Sequence, residues 1–438
     1  MCGFRTGISL TGLRLNDKIS FRGKGLSLPL NFTFSVKVLY WANMITLIAP
    51  CAIGAEKVLA NELKQLGFVP QGNAPGRVIF SPPPDCGDLA AMYRANLCLR
   101  TADRVYLRLA CFPAFEFDAL FEGVKAVQWQ DYFKKDVRVV VDKVRTHASK
   151  LASEHSIQSI THKAIYECLG KAWHMSLLPE TGTEVTVRVY VDDNVVSILL
   201  DLSGMPLHRR GYRTAGGEAP IRETLAAILI QMMSWRRKTP LHDAFCGSGT
   251  IPIEAILYAH NIAPGLGRTF ALEDLSIFSG DDARGIMDDE RKKAALAIRT
   301  DCLVRVTGSD IDENILLSAR GNAERACSIA GRALQSVGNA ERIPRPDFVQ
   351  ASFEDLAAPY DTGLLLSNPP YGERLGDSDS AAALYRSMHA LTENFTDWDL
   401  GFITSHTAFE QSFGKRATKK KALKSGNLDT CFYMFEKE

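Results

Sequence analysis

The spacing of hydrophobic positions changes along the chain, and each change marks an element. Ile45-Thr46-Leu47-Ile48-Ala49 predicts a strand, after which Val58, Leu59, Leu63 and Leu66 recur at helical spacing until Gly67 stops the helix. Arg77-Val78-Ile79-Phe80 predicts a second strand, ended by Pro82-Pro83-Pro84. A helix follows from about Asp88 to Asn96, and Val105–Leu109 alternates as a strand. A second unit opens near Phe115. Phe117, Leu120, Phe121 and Val124 form a helical stripe suited to a core, and Val137–Val141 is a strong strand. A helix carrying His162, Lys163 and Lys171 comes next. Val185–Val189 and Val195–Leu200 then predict a hairpin around Asp192-Asp193-Asn194.

From about residue 205 the pattern changes to strands alternating with helices, the signature of an α/β fold. A helix runs from Ile221 to about Trp235. Short strands are predicted at Leu241–Asp243, Val304–Asp310, Phe348–Gln350, Leu364–Leu366, Asp399–Thr404 and Cys431–Phe435. The connection from the helix Ile251–Leu257 to Val304 is unusually long and contains a helical stretch, Met287–Ile298. Connections of that length are uncommon unless they serve a function.

Composition adds bounds. A chain of 438 residues should hold two or three domains, and a net charge of +1 leaves nucleic acid open as a partner because a local basic face is enough. The ten cysteines include no Cys-x-x-Cys pair, which suggests neither a zinc site nor a disulfide framework and fits a reducing cytoplasm. No run approaches the roughly 20 apolar residues of a spanning helix, so no membrane role is expected. Residues 1–43 differ from the rest: Arg5, Arg14, Lys18, Arg22, Lys24 and Lys37 stand against Asp17, without a helical period. With Met44 opening the first strand, this extension is expected to be unstructured or the product of an upstream start.

Two stretches carry candidate chemistry. In Leu366-Ser367-Asn368-Pro369-Pro370-Tyr371-Gly372, a buried strand runs into a stiff polar turn. Asn368 falls at the strand's carboxyl edge, where open α/β sheets hold ligands. Its amide oxygen and a freed carbonyl could accept hydrogen bonds from an exocyclic amine while Tyr371 offers its face to the ring. Taken alone, the turn is equally well explained by Asn capping and Tyr packing inward. In Asp243-Ala244-Phe245-Cys246-Gly247-Ser248-Gly249-Thr250, a strand passes through a glycine turn into a helix whose first amides suit an anion. The third glycine of the dinucleotide fingerprint is absent, against a nicotinamide site. Asp310, at the end of a later strand, could accept two ribose hydroxyls, or cap a helix as Asp312 does better. Arg145, His147, Lys150 and Lys163 form a basic group that either grips phosphates or is a solvated face. Lys415, Arg416, Lys419, Lys420, Lys421 and Lys424 are likewise a solvated edge or an RNA clamp.

Together and in this order, the glycine turn and the Asn-Pro-Pro-Tyr turn resemble motifs I and IV of the S-adenosylmethionine-dependent methyltransferases that modify amino groups. Ser149-Lys150-Leu151 and Ser156-Ile157-Gln158-Ser159-Ile160 lie in a layout that resembles a THUMP RNA-binding domain preceded by a ferredoxin-like unit. His208–Arg213 leading to Ala219–Leu225 resembles the approach to the catalytic domain (motif X). The long insertion is similar to that of the THUMP-bearing guanine methyltransferases of large-subunit ribosomal RNA. The resemblance covers residues 44–438 and implies a ferredoxin-like domain at 44–112, a THUMP domain at 113–204 and a Rossmann-like class I methyltransferase domain at 205–438. The last should be mainly parallel with an antiparallel carboxyl-terminal strand. By the same resemblance Asn368, Pro369, Pro370 and Tyr371 are catalytic. Asp243, Phe245, Cys246, Gly247, Gly249, Thr250, Asp310, Ile311, Ser352 and Asn368 hold S-adenosylmethionine, Ser352 standing where many relatives place an acid. Arg145, His147, Lys150 and Lys163 contact RNA. The implied activity is methylation of a guanine N2 amine in 23S ribosomal RNA. Transfer RNA, DNA adenine or a protein glutamine are the competing targets, and a non-catalytic RNA-binding protein is the competing class.

Overall fold

The computed structural model describes residues 45–213, 220–370, 378–425 and 428–437; residues 1–43 and Tyr371 lie outside them. Two seven-stranded sheets organise the described chain. The first uses β1 (Thr46–Pro50), β2 (Val69–Ala74), β3 (Arg77–Ser81), β4 (Tyr106–Pro113), β5 (Arg138–His147), β6 (Glu184–Asp192) and β7 (Val195–Asp201), in the order β2-β3-β1-β4-β7-β6-β5. Its helices are α1 (Glu56–Gln65), α2 (Asp88–Cys98), α3 (Phe117–Lys125) and α4 (Glu154–Trp173).

The two units predicted from the pattern share this one sheet. β4 pairs β1 through Leu107↔Leu47 and pairs β7 through Leu107↔Leu200, so one strand serves both. It runs on to Pro113 past the predicted end at Leu109, with a register shift between Arg108 and Ala110. β2 has no counterpart in the hydrophobic pattern. Val69-Pro70-Gln71-Gly72-Asn73-Ala74 is polar and broken by Pro and Gly, and it is held as a strand by pairing with β3 around Gly76 (φ 73°). The β6–β7 hairpin turns on Asp193 (φ 49°) and Asn194 (φ 61°), residue types that tolerate the left-handed region.

The second sheet uses β8 (Leu241–Asp243), β9 (Val306–Asp310), β10 (Asp347–Gln350), β11 (Gly363–Ser367), β12 (Trp398–Thr404), β13 (Lys419–Ser425) and β14 (Leu428–Phe435). The order is β10-β9-β8-β11-β12-β14-β13; β8 to β12 pair in parallel and β14 runs antiparallel to both its neighbours. Its helices include α5 (Glu223–Met232), α6 (Thr250–Ala259), α7 (Asp281–Leu296), α8 (Glu313–Ser336) and α9 (Ser378–Ser387). All five residues of β11 are buried, as a central strand covered on both faces requires. Each of Leu364, Leu365 and Leu366 contributes roughly 1.5–3 kcal/mol by that burial.

The long connection after α6 is a bracket between the two sheets. Its helix α7 begins at Asp281, ahead of the predicted Met287, because its first turns are polar and carry no period. Glu290 on α7 takes two hydrogen bonds from Arg94 on α2, at 2.7 and 2.9 Å. Arg291 donates to the Tyr93 hydroxyl at 2.6 Å, and Tyr93 meets Phe270 edge-on. On the far side, Ile53 and Lys424 of β13 exchange backbone hydrogen bonds at 3.0 Å each. The amino-terminal unit therefore covers part of the edge that the lysine-rich strand would otherwise expose.

Candidate active site

Strand register brings the predicted residues to one edge. β11 lies beside β8 with Leu364 opposite Leu241 and Leu365 opposite His242. Continuing that register puts Ser367 level with Ala244 and Asn368 level with Phe245. The Ala244 N–H donates to Ser367 Oγ at 2.8 Å and fixes the alignment. Across β8, Asp243 faces Gly308, and Gln350 faces Asp310 one strand further out. Asn368, the glycine turn, Asp310 and Ala351-Ser352 therefore lie along the carboxyl ends of four neighbouring strands, where such sheets bind ligands.

The chain leaves β8 through Gly247 (φ 50°) and Gly249 (φ 82°). Packing forbids a side chain at Gly249, whose added Cβ would lie 2.8 Å from Phe348 Cζ and 3.1 Å from Ala319 Cβ. A Cβ on Gly247 would have no atom of the described residues within 4 Å, so among them that backbone borders open space. No side chain of the described residues caps α6, which leaves its first N–H groups for a ligand. Thr250 is buried and accepts a hydrogen bond from Arg213 at 2.6 Å; Arg213 also pairs with the buried Glu223 at 3.3 Å.

Asp310 braces this turn. Its Oδ2 accepts the Gly247 N–H at 2.9 Å and its Oδ1 the Asp312 N–H at 3.1 Å, leaving each oxygen a further lone pair. Asp312 takes the capping role, accepting the Asn314 N–H at the start of α8. Ile311 beside it is 70% exposed, while Ser352 turns its hydroxyl to the Glu354 N–H. Phe245 packs its ring on Phe353. Burial pushes the Asp243 carboxyl up to about 7 against the hydrogen bonds from Ser367 and the Phe245 N–H, and the Asp310 charge adds to the rise. Burial drives the Cys246 thiol far up, so it stays protonated and is no nucleophile.

The Asn368 Oδ1 is buried and has no hydrogen-bond partner among the described residues; the Ser248 hydroxyl is the same. Buried polar oxygens are almost always satisfied in the finished state of a protein. The following turn is anchored: the Tyr385 hydroxyl donates to the Pro370 carbonyl at 3.1 Å and meets Thr404 Oγ1 at 2.8 Å, both side chains being buried. Ser367, Tyr385 and the Arg213–Thr250 contact were not foreseen as site parts. Arg213 lay in a stretch already singled out, but Tyr385 carried no sequence signal because it reaches the turn from α9.

The basic group is only partly brought together. Arg145, His147 and Lys150 follow one another at the end of β5 and are exposed. His147 Nδ1 lies 3.0 Å from Asp192, and Lys150 lies over the Phe115 ring. Lys163, on α4, has different partners, Glu167 at 3.9 Å and the Phe121 ring.

A doubly wound sheet with one inserted antiparallel strand, and an open glycine turn at its carboxyl edge, defines a class I methyltransferase. The chain belongs to the family of the RMKL-like methyltransferase domain, which matches residues 210–433; the RlmL ferredoxin-like domain matches residues 46–106 and the THUMP domain residues 114–201. YpsC of Bacillus subtilis, a proposed RNA methyltransferase, is 38% identical over 89% of this chain and 95% of its own length. The ribosomal RNA large subunit methyltransferase K/L of Cellvibrio japonicus is 31% identical over 88% of this chain; the chain spans 50% of that relative. The crystal structure of SMU.472, a proposed methyltransferase complexed with SAH, aligns with a TM-score of 0.77 at 35% identity, covering 90% of this chain and 98% of the other.

Proposed function

We propose that this chain uses S-adenosylmethionine to methylate the exocyclic N2 amine of a guanine in 23S ribosomal RNA, in the cytoplasm. The observation that carries the reading is the Asn368 Oδ1, buried level with the glycine turn at the end of β11 and without a hydrogen-bond partner among the described residues. An amide oxygen that accepts nothing from the described residues is available to an amine. The residues at the edge fit the cofactor: open space over Gly247, an uncapped α6 and spare lone pairs on Asp310. Bound there, S-adenosylmethionine would supply an electrophilic methyl group.

The chain's own part is to position and polarise the amine. The amine's lone pair is delocalised into the base; hydrogen bonds from its protons to Asn368 Oδ1 and the Pro369 carbonyl favour the localised pair. Those bonds strengthen as charge develops, which lowers the barrier. A base must leave its stack to reach this edge, and Tyr371 supplies an aromatic face for it. Residues 113–204 grip the RNA; of the four basic residues singled out, Arg145 and Lys150 are not paired with a carboxylate among the described residues, whereas His147 meets Asp192 and Lys163 meets Glu167. Incubation of the purified chain with labelled cofactor and ribosomal RNA, followed by nucleoside mass spectrometry, should yield N2-methylguanosine. Label in N6-methyladenine of DNA, or in transfer RNA alone, would overturn the assignment of substrate.

A further inference from the structure

A cavity of about 320 Å³ lies between the amino-terminal unit and the methyltransferase domain, at the opposite end of α6 from the glycine turn. Four cations line it: Arg94 and Arg100 from the amino-terminal unit, Arg237 and Lys293 from the methyltransferase domain. Two carboxylates also line it, and both are engaged. Glu290 is held by Arg94 at 2.7 Å and by Lys293 at 2.8 Å. Glu62 accepts the Arg100 and Thr101 N–H groups, at 2.8 and 3.1 Å, together with the Thr101 hydroxyl. The lining thus carries two more positive charges than negative.

Arg100 is the anomaly. It is 6% exposed, and its Nη1 is buried without a hydrogen-bond partner among the described residues. Its guanidinium stands 5.8 Å from the centre of the Tyr258 ring, and Arg237 stands 4.9 Å from the same centre. Taking a guanidinium out of water without an acceptor is expensive, and buried charges are as a rule paired. Glu62 and Glu254 act on Arg100 through their charge, but its Nη1 has no hydrogen-bond acceptor among the described residues, and a planar donor with that N–H open in a cationic cavity matches the geometry with which arginine takes phosphate. The volume falls within the range of small-ligand sites.

We propose that this cavity binds a phosphate-bearing anion, held by Arg100 and Arg237 about Tyr258 and bridging the two parts of the chain. The phosphate comes either from a free ion or nucleotide or from an RNA backbone. Because both parts contribute cations, occupancy would fix the RNA-binding unit against the methyltransferase domain.

Calorimetry and thermal melts of the full chain with inorganic phosphate and with guanosine monophosphate, at constant ionic strength, test the site. One of the two should bind and raise the Tm in a concentration-dependent way. Arg237→Gln, on a half-buried residue, should weaken that binding at least about tenfold, and Arg100→Gln should do the same if it folds. RNA binding separates the sources: loss of about one phosphate contact from the salt slope in Arg237→Gln assigns the site to the RNA backbone, and an unchanged slope with lost nucleotide binding assigns it to a free anion. If neither small anion binds and Arg237→Gln leaves the RNA salt slope unchanged, the proposal is wrong. It is equally wrong if parent and Arg237→Gln respond identically to phosphate.

Discussion

At the scale of single residues, the candidate edge separates atoms that serve the fold from atoms that do not. Asn368 Oδ1 satisfies nothing among the described residues, so Asn368→Ala should change stability by less than about 1 kcal/mol. The same change should slow methyl transfer about a hundred- to a thousandfold, the usual effect of removing one donor or acceptor aimed at developing charge. Single-turnover kinetics beside a denaturation curve decide it; a destabilised but fast variant would return Asn368 to a turn-capping role. The two glycines offer a second contrast. Gly249→Ala should destabilise the chain by about 1–3 kcal/mol, because its Cβ collides with Phe348 and φ is +82°. Gly247→Ala has room and should cost about 1 kcal/mol in stability while weakening cofactor binding. Calorimetry with S-adenosylmethionine showing full affinity in Gly247→Ala would place the cofactor elsewhere. Asp310→Ala should lose both, since the carboxylate also holds the Gly247 N–H.

At the scale of elements, what could be read in the sequence was what hydrophobic period and turn chemistry determine. Leu364–Leu366 is an apolar run closed by Asn-Pro-Pro, Val306–Asp310 opens on β-branched residues and closes on an aspartate, and both are strands ending at the site. β2 was invisible because its strand character comes from its neighbour β3, and the start of α7 because its first turn is acidic and exposed. Tyr385 was invisible for a third reason: it acts across the fold, from α9 onto a turn that precedes it in sequence. β8 carries a titration that no pattern would show. Its neighbours His242 and Asp243 are both buried, and burial lowers the imidazole to about 4 while it raises the carboxyl to about 7. From about pH 4 to 6.5 the unfolded His242 binds protons that the folded one does not, so its contribution makes stability rise with pH. From about pH 4 to 7 the folded Asp243 keeps a proton that the unfolded one releases, so its contribution makes stability fall. The two largely cancel. Asp243→Asn should therefore make the cofactor-free protein more acid-sensitive, by up to about 1.4 kcal/mol per pH unit between pH 4.5 and 6.5. Urea denaturation at three pH values measures it, and parallel pH profiles for parent and variant would refute it.

At the scale of the whole chain, β4 joins the two amino-terminal units into one sheet, and the bracket of residues 260–305 ties that sheet to the methyltransferase domain. On the function proposed above, RNA held at the end of β5 would be referred to the carboxyl edge of the second sheet through these contacts rather than through a loose linker. Predicting the strength of that grip requires counting cations that are free. Of the four basic residues singled out, His147 shares Asp192 with Arg77, and Lys163 pairs with Glu167. Arg145 and Lys150 have no carboxylate partner within salt-bridge distance among the described residues. Counterion release scales with the phosphates neutralised, at about 0.7 per contact for single strands and 0.9 for duplex. The double change Arg145→Ala with Lys150→Ala should thus flatten the plot of log affinity against log salt by about 1.4–1.8. Lys163→Ala should change it by well under one, because Lys163 is already paired with Glu167, which it shares with Lys125. Cofactor affinity should not move in either variant, since Asp310 and the glycine turn lie on the other sheet. Filter binding of ribosomal RNA fragments across a salt series supplies the slopes. A slope unchanged in the double variant, or one that falls equally for Lys163→Ala, would mean that the phosphates are held by some other face of the chain.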